Sequence, residues 1–206
     1  MGPFRMITSP AAVLLRANID TDIIAPMRRL LDDMGEMGRF AFEPLRFVDG
    51  DGDRGILAPD FPLNQKRGRD ARILIVGENF GCGSSREQAA QGIAEMGIRC
   101  LIGTSFGSIF FANCFQYGIL PICLEKDIVE AIAKASVLGD LTVDLEEQTL
   151  IVPEMGKVVF SIDTYHKDML LHGLDEVGMT LRHQGAIMAF QKDDMQRRPW
   201  IYNGAC

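Results

Sequence analysis

Histidine is scarce in this chain and cysteine is unpatterned. The three histidines, His166, His172 and His183, all come late, and the five cysteines, Cys82, Cys100, Cys114, Cys123 and Cys206, contain no CxxC pair and no regular spacing. Structural metal sites and iron–sulfur sites draw on close sets of His and Cys, so a metal site built from this chain alone is not expected. An odd number of thiols, with no secretory signal pattern in the opening MGPFRMITSPAAVLL, points to reduced cysteines in a cytoplasmic protein. No apolar run approaches the roughly 20 residues that a membrane helix needs. No basic run offsets the formal net charge of −7. Membrane insertion and general nucleic-acid binding are set aside on these grounds. An anionic substrate would have to be drawn in by a few local arginines or backbone amides, because the overall field opposes it.

What is present is the composition of an ordinary globular protein, 47% hydrophobic and 24% charged over 206 residues. One domain spanning 1–206 is expected, large enough to bury a proper core. Residues 11–25, AAVLLRANIDTDIIA, hold two short apolar runs around a polar turn. Residues 27–55 are rich in Met, Gly, Asp and Arg and read as a long, mobile, partly ordered excursion, the kind of loop that a compact domain keeps for function. From ARILIVG (71–77) onward the pattern becomes regular: strand, glycine-rich turn, helix over SREQAAQGIAEMG, strand IRCLIG, helix SFGSIFFANCFQYG, strand ILPICL. The first helix places Ala89, Ala90, Ile93, Ala94 and Met96 on one face, and the second is apolar almost all round, which predicts deep burial. This alternation implies a parallel α/β core with right-handed crossovers. DLTVDLEEQTLIVP and KVVFSI then alternate with period two, predicting an added antiparallel element. RHQGAIMAFQKDD predicts a terminal helix before a short tail at 196–206.

The turn itself, ENFGCGSSREQ at 78–88, is the most informative stretch. Glycines between a buried strand and a helix expose backbone N–H groups at the positive end of the helix dipole, which favours anions. A dinucleotide fingerprint fails because Arg86 stands where GxGxxG requires its third glycine. A Walker loop fails for want of Gly-Lys-Ser/Thr, and no GxSxG surrounds Ser84 or Ser85. Two hydroxyls and a guanidinium remain. Arg86 can hold a carboxylate through two parallel hydrogen bonds. A serine beside it can accept a proton if its alkoxide is stabilised by cationic and backbone donors. The plainer interpretation makes Ser84 or Ser85 an N-cap, with Glu87 or Gln88 completing a capping box. One serine can cap while the other faces a substrate.

Two further features have plain explanations. In NIDTDIIAP (18–26), Asp20 and Asp22 suit a solvated turn between strands; the functional alternative turns one carboxylate toward an active site. Asn113 lies on the stripe Phe106, Ile109, Phe110, Asn113, Tyr117, where a buried amide needs partners, and is expected to be a hydrogen-bond hub for the neighbouring loop.

Taken together, NFGCGSSRE, NIDTDIIAP, SFGSIFFANCFQYGILPI, GLDEVGMTL and the terminal RRPW resemble the small subunits of bacterial 3-isopropylmalate dehydratases, which correspond to the swivelling domain of aconitase. The similarity runs from about residue 13 to 200 in unbroken order. It implies an α/β fold of the aconitase swivelling type, three layers β/β/α with a mixed sheet, in a heterodimer with a large subunit. The [4Fe–4S] cluster is expected on that large subunit and no cofactor on this chain. The implied reaction is dehydration and rehydration of a small dicarboxylate, interconverting 2-isopropylmalate and 3-isopropylmalate in leucine biosynthesis. By motif position, Ser84 matches the base that removes the carbon-bound proton. Ser85 and Arg86 match substrate-binding positions, Arg86 taking a carboxylate, and Asp22 matches the acidic position facing the joint site. The excursion after Pro26 matches the loop that contacts the variable side chain, which puts Arg28 and Arg29 forward as specificity residues.

The chain departs from that pattern twice. Gln88 follows SRE where the family usually has His, and PMRRLLDDMGEMG replaces Pro-Lys-Gln-aromatic-Leu followed by Arg-Thr-Gly. Both departures bear on the alkyl group. The alternative within the family is a subunit acting on methylmalate, dimethylmalate or a homoaconitate-like acid. From other classes, a non-catalytic scaffold or regulatory subunit predicts that the large subunit turns over alone, and a nicotinamide-dependent oxidoreductase is weakened by Arg86.

Overall fold

The computed structural model describes residues 2–32 and 36–202. The strands are β1 (Met6–Ser9), β2 (Ala11–Leu14), β3 (Ile73–Val76), β4 (Cys100–Gly103), β5 (Leu120–Cys123), β6 (Leu141–Asp144), β7 (Thr149–Val152) and β8 (Gly156–Val159). The helices are α1 (Thr21–Ile24), α2 (Met27–Asp32), α3 (Met37–Phe40), α4 (Glu43–Arg46), α5 (Lys66–Arg69), α6 (Gln88–Glu95), α7 (Ser108–Gln116), α8 (Lys126–Ala135), α9 (Thr164–His172), α10 (Glu176–Leu181) and α11 (Gln184–Arg197). Parallel and antiparallel strands do not mix within a sheet. β2, β3, β4 and β5 form one parallel sheet in that order, and β1, β6, β7 and β8 form a separate antiparallel one.

The chain changes sheet at Pro10, between β1 and β2. Proline has no N–H for a ladder, so it suits the break. Ser9, almost fully buried, secures the crossing: its hydroxyl donates to the Pro10 carbonyl at 2.8 Å and accepts from Arg72 N–H at 2.8 Å. β1 was not anticipated from the sequence, because four residues beside a proline carry too short an alternation to read.

Three layers follow from the two faces of β3. Ile73 and Ile75 pack with Ile7, Leu141, Val143, Leu150 and Val152 of the antiparallel sheet and with Val129 and Ile132 of α8. Leu74 and Val76 pack on the other side with Ala89, Ala90 and Ile93 of α6 and Phe110 and Cys114 of α7. A strand buried on both faces reads as a continuous apolar run, which is why ILIV shows no alternation. The order is antiparallel sheet, parallel sheet, helices.

Some expectations require correction. α7 is buried on one side only: Phe110, Cys114 and Phe115 lie inside while Ile109 is 50% exposed. Asn113 is no hub, since its side-chain NH2 meets no acceptor among the described residues. The second apolar run of residues 11–25 is a single helical turn, α1, and not a strand. The excursion at 27–55 carries α2, α3 and α4, with 33–35 lying outside the described residues. The terminal helix is present as α11, most of its surface exposed.

Candidate active site

The loops that follow β2, β3 and β4 continue the parallel pairing beyond the strands. Gly81 N–H donates to the Ile19 carbonyl at 2.7 Å, Thr21 N–H to the Cys82 carbonyl at 2.9 Å, and Gly107 N–H to the Phe80 carbonyl at 2.8 Å. Isolated parallel bridges join Asp20 to Cys82 and Phe80 to Phe106. Residues 18–22, 80–86 and 105–109 are therefore assembled at the carboxyl end of the parallel sheet, where open α/β sheets bind ligands. Gly81, Gly83, Ser84, Ser85, Gly107, Ser108 and Ile109 line an open cleft of about 430 Å³ there.

Glycine is required at two points of the turn. Gly81 has φ 71° and a Cβ there would run into the Phe110 ring; Gly83 has φ 104°. Side chains rarely adopt such values, so the turn can be this tight only with glycine at both.

The two serines differ. Ser84 is half-buried, with its Oγ 2.7 Å from Thr21 Oγ1 and its N–H donating to the same oxygen at 3.2 Å. Ser85 is exposed. Neither caps α6. The cap position falls on Glu87, in helical geometry and without a side-chain cap bond, so the capping-box expectation is corrected. Ser85→Ala is accordingly expected to change stability by less than about 0.5 kcal/mol, the range of ordinary surface substitutions. A thermal melt showing a loss of about 1 kcal/mol or more would restore the cap.

Arg86 and Asp22, distant in sequence, meet. Arg86 Nη1 lies 2.5 Å from Asp22 Oδ1 and donates to the Ala25 carbonyl at 3.3 Å. The Arg86 side chain is only 16% exposed whereas that of Asp22 is 62% exposed. Asp20 holds α1 in place by accepting from Ile23 N–H at 2.8 Å. Asp22 is thus placed first as the anchor of Arg86. The hydrogen bonds of Arg86 run through Nη1 among the described residues, leaving its Nε–Nη2 edge for a carboxylate.

Arg28 and Arg29 are placed otherwise than as side chains aimed into the cleft. Both pair with Glu43, Arg28 Nη2 at 2.6 Å and Arg29 Nη2 at 2.6 Å from Oε1, with Gly52 N–H donating to the same oxygen at 2.8 Å. Arg29 also meets Asp53 at 2.8 Å and lies 3.7 Å over the Phe40 ring. Arg29 is buried and holds the excursion together, so any influence on specificity would pass through the loop it anchors. Burial pushes the Glu43 carboxyl up, but hydrogen bonds from Arg29, Arg28 and Gly52 outweigh it and bring it down to about 2. Those same bonds to Glu43 and Asp53 raise the already high pKa of Arg29. Gln88, the other departure, starts α6 and is half-buried.

The four described cysteines do not make a ligand set. Cys100 belongs to the core between the sheets and Cys114 to the core beneath the helices, so the two point to opposite faces of the parallel sheet. Burial pushes both thiols up, Cys114 far above its usual range, against the thiolate that metal binding needs. No group of three or more His, Cys, Asp or Glu among the described residues could hold a metal ion. The donors among the described residues do not fit an iron–sulfur cluster. No helix of the described residues is long and apolar enough to cross a membrane.

A hydroxyl pair beside an arginine at the open end of a parallel sheet, in a three-layer β/β/α body, defines a class, and residues 16–127 match the family model of the aconitase C-terminal domain. Among similar proteins, the 3-isopropylmalate dehydratase small subunit of Jannaschia sp. is 42% identical over 205 residues, covering 98% of this chain and 100% of that one. The small subunit of the same enzyme from Gluconacetobacter diazotrophicus is 45% identical over 204 residues, covering 97% of each chain. The crystal structure of a 3-isopropylmalate dehydratase from Methanocaldococcus jannaschii superposes with a TM-score of 0.63 at 25% identity, covering 90% of this chain and 99% of that one. The chain belongs to the 3-isopropylmalate dehydratase small-subunit family, within the aconitase C-terminal domain class.

One residue of the site went unnamed in the sequence reading: Thr21, 1% exposed and bonded to Ser84. Its signal was the threonine before Asp22 in NIDTDIIAP, which looked like turn chemistry because its partner lies 63 positions away.

Proposed function

We propose that this chain is the small subunit of a hydro-lyase that interconverts 2-isopropylmalate and 3-isopropylmalate by dehydration and rehydration, in leucine biosynthesis, working with a large subunit. The observation that carries the reading is the glycine turn that places Ser84 in the wall of an open cleft and carries Arg86, tied to Asp22, two residues further on. Arg86, held at Nη1 by Asp22 and Ala25, presents its remaining donors to a substrate carboxylate. Ser84 takes the proton from the carbon beside it. The group that assists the departing hydroxyl is assigned to the large subunit, a division with which the lack of a metal-holding group among the described residues is consistent. Closing the two bodies over the cleft excludes water from the reacting carbons. Locating the enzyme in the cytoplasm accords with its unpatterned, reduced thiols.

The excursion gives a reason to test other malates. α2 begins at Met27, two residues past the Ala25 carbonyl that holds Arg86, and Met27 is exposed there. The unusual PMRRLL sequence therefore starts beside the carboxylate clamp. The test is reconstitution of the purified chain with a cluster-bearing large subunit encoded beside it or taken from a relative. The expected result is that the chain alone is colourless and inactive, that the pair converts 2-isopropylmalate, and that omitting this chain abolishes turnover. A large subunit that turns over alone would establish the scaffold reading instead. Preference for methylmalate or a longer diacid in the same assay would reassign the substrate and leave the chemistry intact.

A further inference from the structure

We propose that Thr21 is the positioning residue of Ser84: its hydroxyl fixes the Ser84 side chain and donates to the Ser84 oxygen when that oxygen carries charge. The inference rests on Ser84 being the base. Thr21 is held from both sides by main chain, its N–H donating to the Cys82 carbonyl at 2.9 Å and its carbonyl accepting from Ala25 N–H at 2.8 Å. Its side chain, 1% exposed, is thereby fixed at the crossing of the loops after β2 and β3.

Counting donors leaves the direction of the hydrogen bond open in the neutral pair and fixes it once Ser84 Oγ is charged. A threonine hydroxyl has one proton and two acceptor lone pairs. Both hydrogen bonds of Thr21 Oγ1 among the described residues go to Ser84: it accepts from the Ser84 N–H at 3.2 Å and lies 2.7 Å from Ser84 Oγ. With one lone pair occupied by the amide, its proton is left for Ser84 Oγ. A neutral serine can either donate to Thr21 or accept from it. A serine oxygen that has given its own proton to solvent can only accept, so in that state Thr21 is the donor. A donor in a water-poor site favours the charged form of its partner.

The proton balance is simple. The C–H bond of the substrate breaks and an O–H bond forms on Ser84 Oγ. The C–H electron pair becomes the alkene as the C–O bond of the neighbouring carbon breaks, and the hydroxyl leaves with the C–O electron pair toward the side of the cleft that the large subunit covers. Thr21 keeps its proton throughout, so it acts only through Ser84 Oγ and no step is assigned to it on the substrate.

The experiment uses the reconstituted two-subunit enzyme with Thr21→Val, Thr21→Ser, Ser84→Ala and the double variant Ser84→Ala/Thr21→Val. Valine keeps the shape and removes the hydroxyl; serine keeps the hydroxyl and removes the methyl. Thr21→Val is expected to lower kcat by about 30- to 100-fold with KM within about threefold, the pattern of a lost transition-state interaction. The acid limb of its kcat/KM profile should move up by about one pH unit, because a base that loses its donor becomes harder to deprotonate and activity is lost at higher pH as the solution is acidified. Thr21→Ser should recover kcat to within about threefold of wild type. In the Ser84→Ala background, Thr21→Val should lower kcat no further, since the side-chain contact is already gone and the remaining bond, from the residue 84 N–H to Thr21 Oγ1, involves no proton acceptor.

Near-wild-type kcat and an unmoved profile for Thr21→Val, with Ser84→Ala inactive, overturn the positioning role while leaving Ser84 as the base. Near-wild-type turnover in Ser84→Ala overturns the reading of Ser84 and this inference with it. Failure of Thr21→Val to assemble, or equal losses in the valine and serine variants, assigns Thr21 to the fold and overturns the proposal.

Discussion

Ser84→Ala in the reconstituted enzyme is expected to lower kcat by at least about 100-fold while KM stays within a few-fold, as removal of a general base does. The separation of effects comes from the geometry. Substrate affinity is assigned to Arg86, whose side chain is held by Asp22 and Ala25 independently of either serine. Alanine at 84 keeps the backbone N–H that bonds Thr21 Oγ1, so residue 84 retains one of its two links to Thr21. The Thr21 hydroxyl loses its side-chain partner, which costs about 1–2 kcal/mol of stability and should leave assembly intact by size exclusion. Arg86→Lys should do the opposite. It keeps the charge but loses the planar fork, so KM rises well before kcat falls. Turnover by an assembled Ser84→Ala enzyme at near-wild-type rate would end the general-base assignment.

The architecture was legible wherever a short segment carried its own signal. ILIV, CLIG and LPIC are apolar because both faces of the parallel sheet are covered, and that alone predicts the alternating strand–helix core. The β6–β8 meander showed because one of its faces meets solvent. The active-site turn was legible as chemistry, Gly81, Gly83, Ser84 and Arg86 standing within a few residues. Its partners were not. Thr21 meets Ser84, and Asp22 meets Arg86, only because two loops at the carboxyl end of adjacent parallel strands lie side by side. Local sequence holds no record of that pairing. For the same reason the serines looked like caps, although the turn runs past them before α6 begins. Arg28 and Arg29 looked like solvent- or substrate-facing cations because their counter-charge, Glu43, lies 15 and 14 positions away.

Glu43 is where the largest loss of stability is expected. Its carboxylate is 1% exposed and gathers Arg28, Arg29 and the Gly52 N–H, joining α2, α4 and the loop after α4. Replacing Glu43 by Gln removes the charge and keeps the shape, so Arg29 stays buried with its main counter-charge gone. Breaking a buried pair from one side costs about 3–5 kcal/mol. The low end applies here, because Asp53 still meets Arg29 Nη1 at 2.8 Å. At roughly 2–4 °C per kcal/mol for a chain of this size, Tm should fall by about 6–12 °C. Asp53→Asn, at a side chain 66% exposed, should cost far less, because solvent screens that pair. The pH dependence has a definite sign. The Glu43 carboxyl is lowered from the usual 4.5 to about 2 in the folded chain. Its contribution is therefore complete above about pH 4.5 and is lost as the pH falls through the window down to about 2. The difference in Tm between wild type and Glu43→Gln should accordingly be constant near neutrality and narrow across that acid window. Because α2 starts beside the Ala25 carbonyl that holds Arg86, the same substitution should also disturb substrate preference, raising KM for the alkylmalate more than it lowers kcat. A Tm deficit below about 1 kcal/mol equivalent, or one that does not change between pH 7 and pH 3, would show that the cluster is a solvated surface network and that the excursion is held by other contacts.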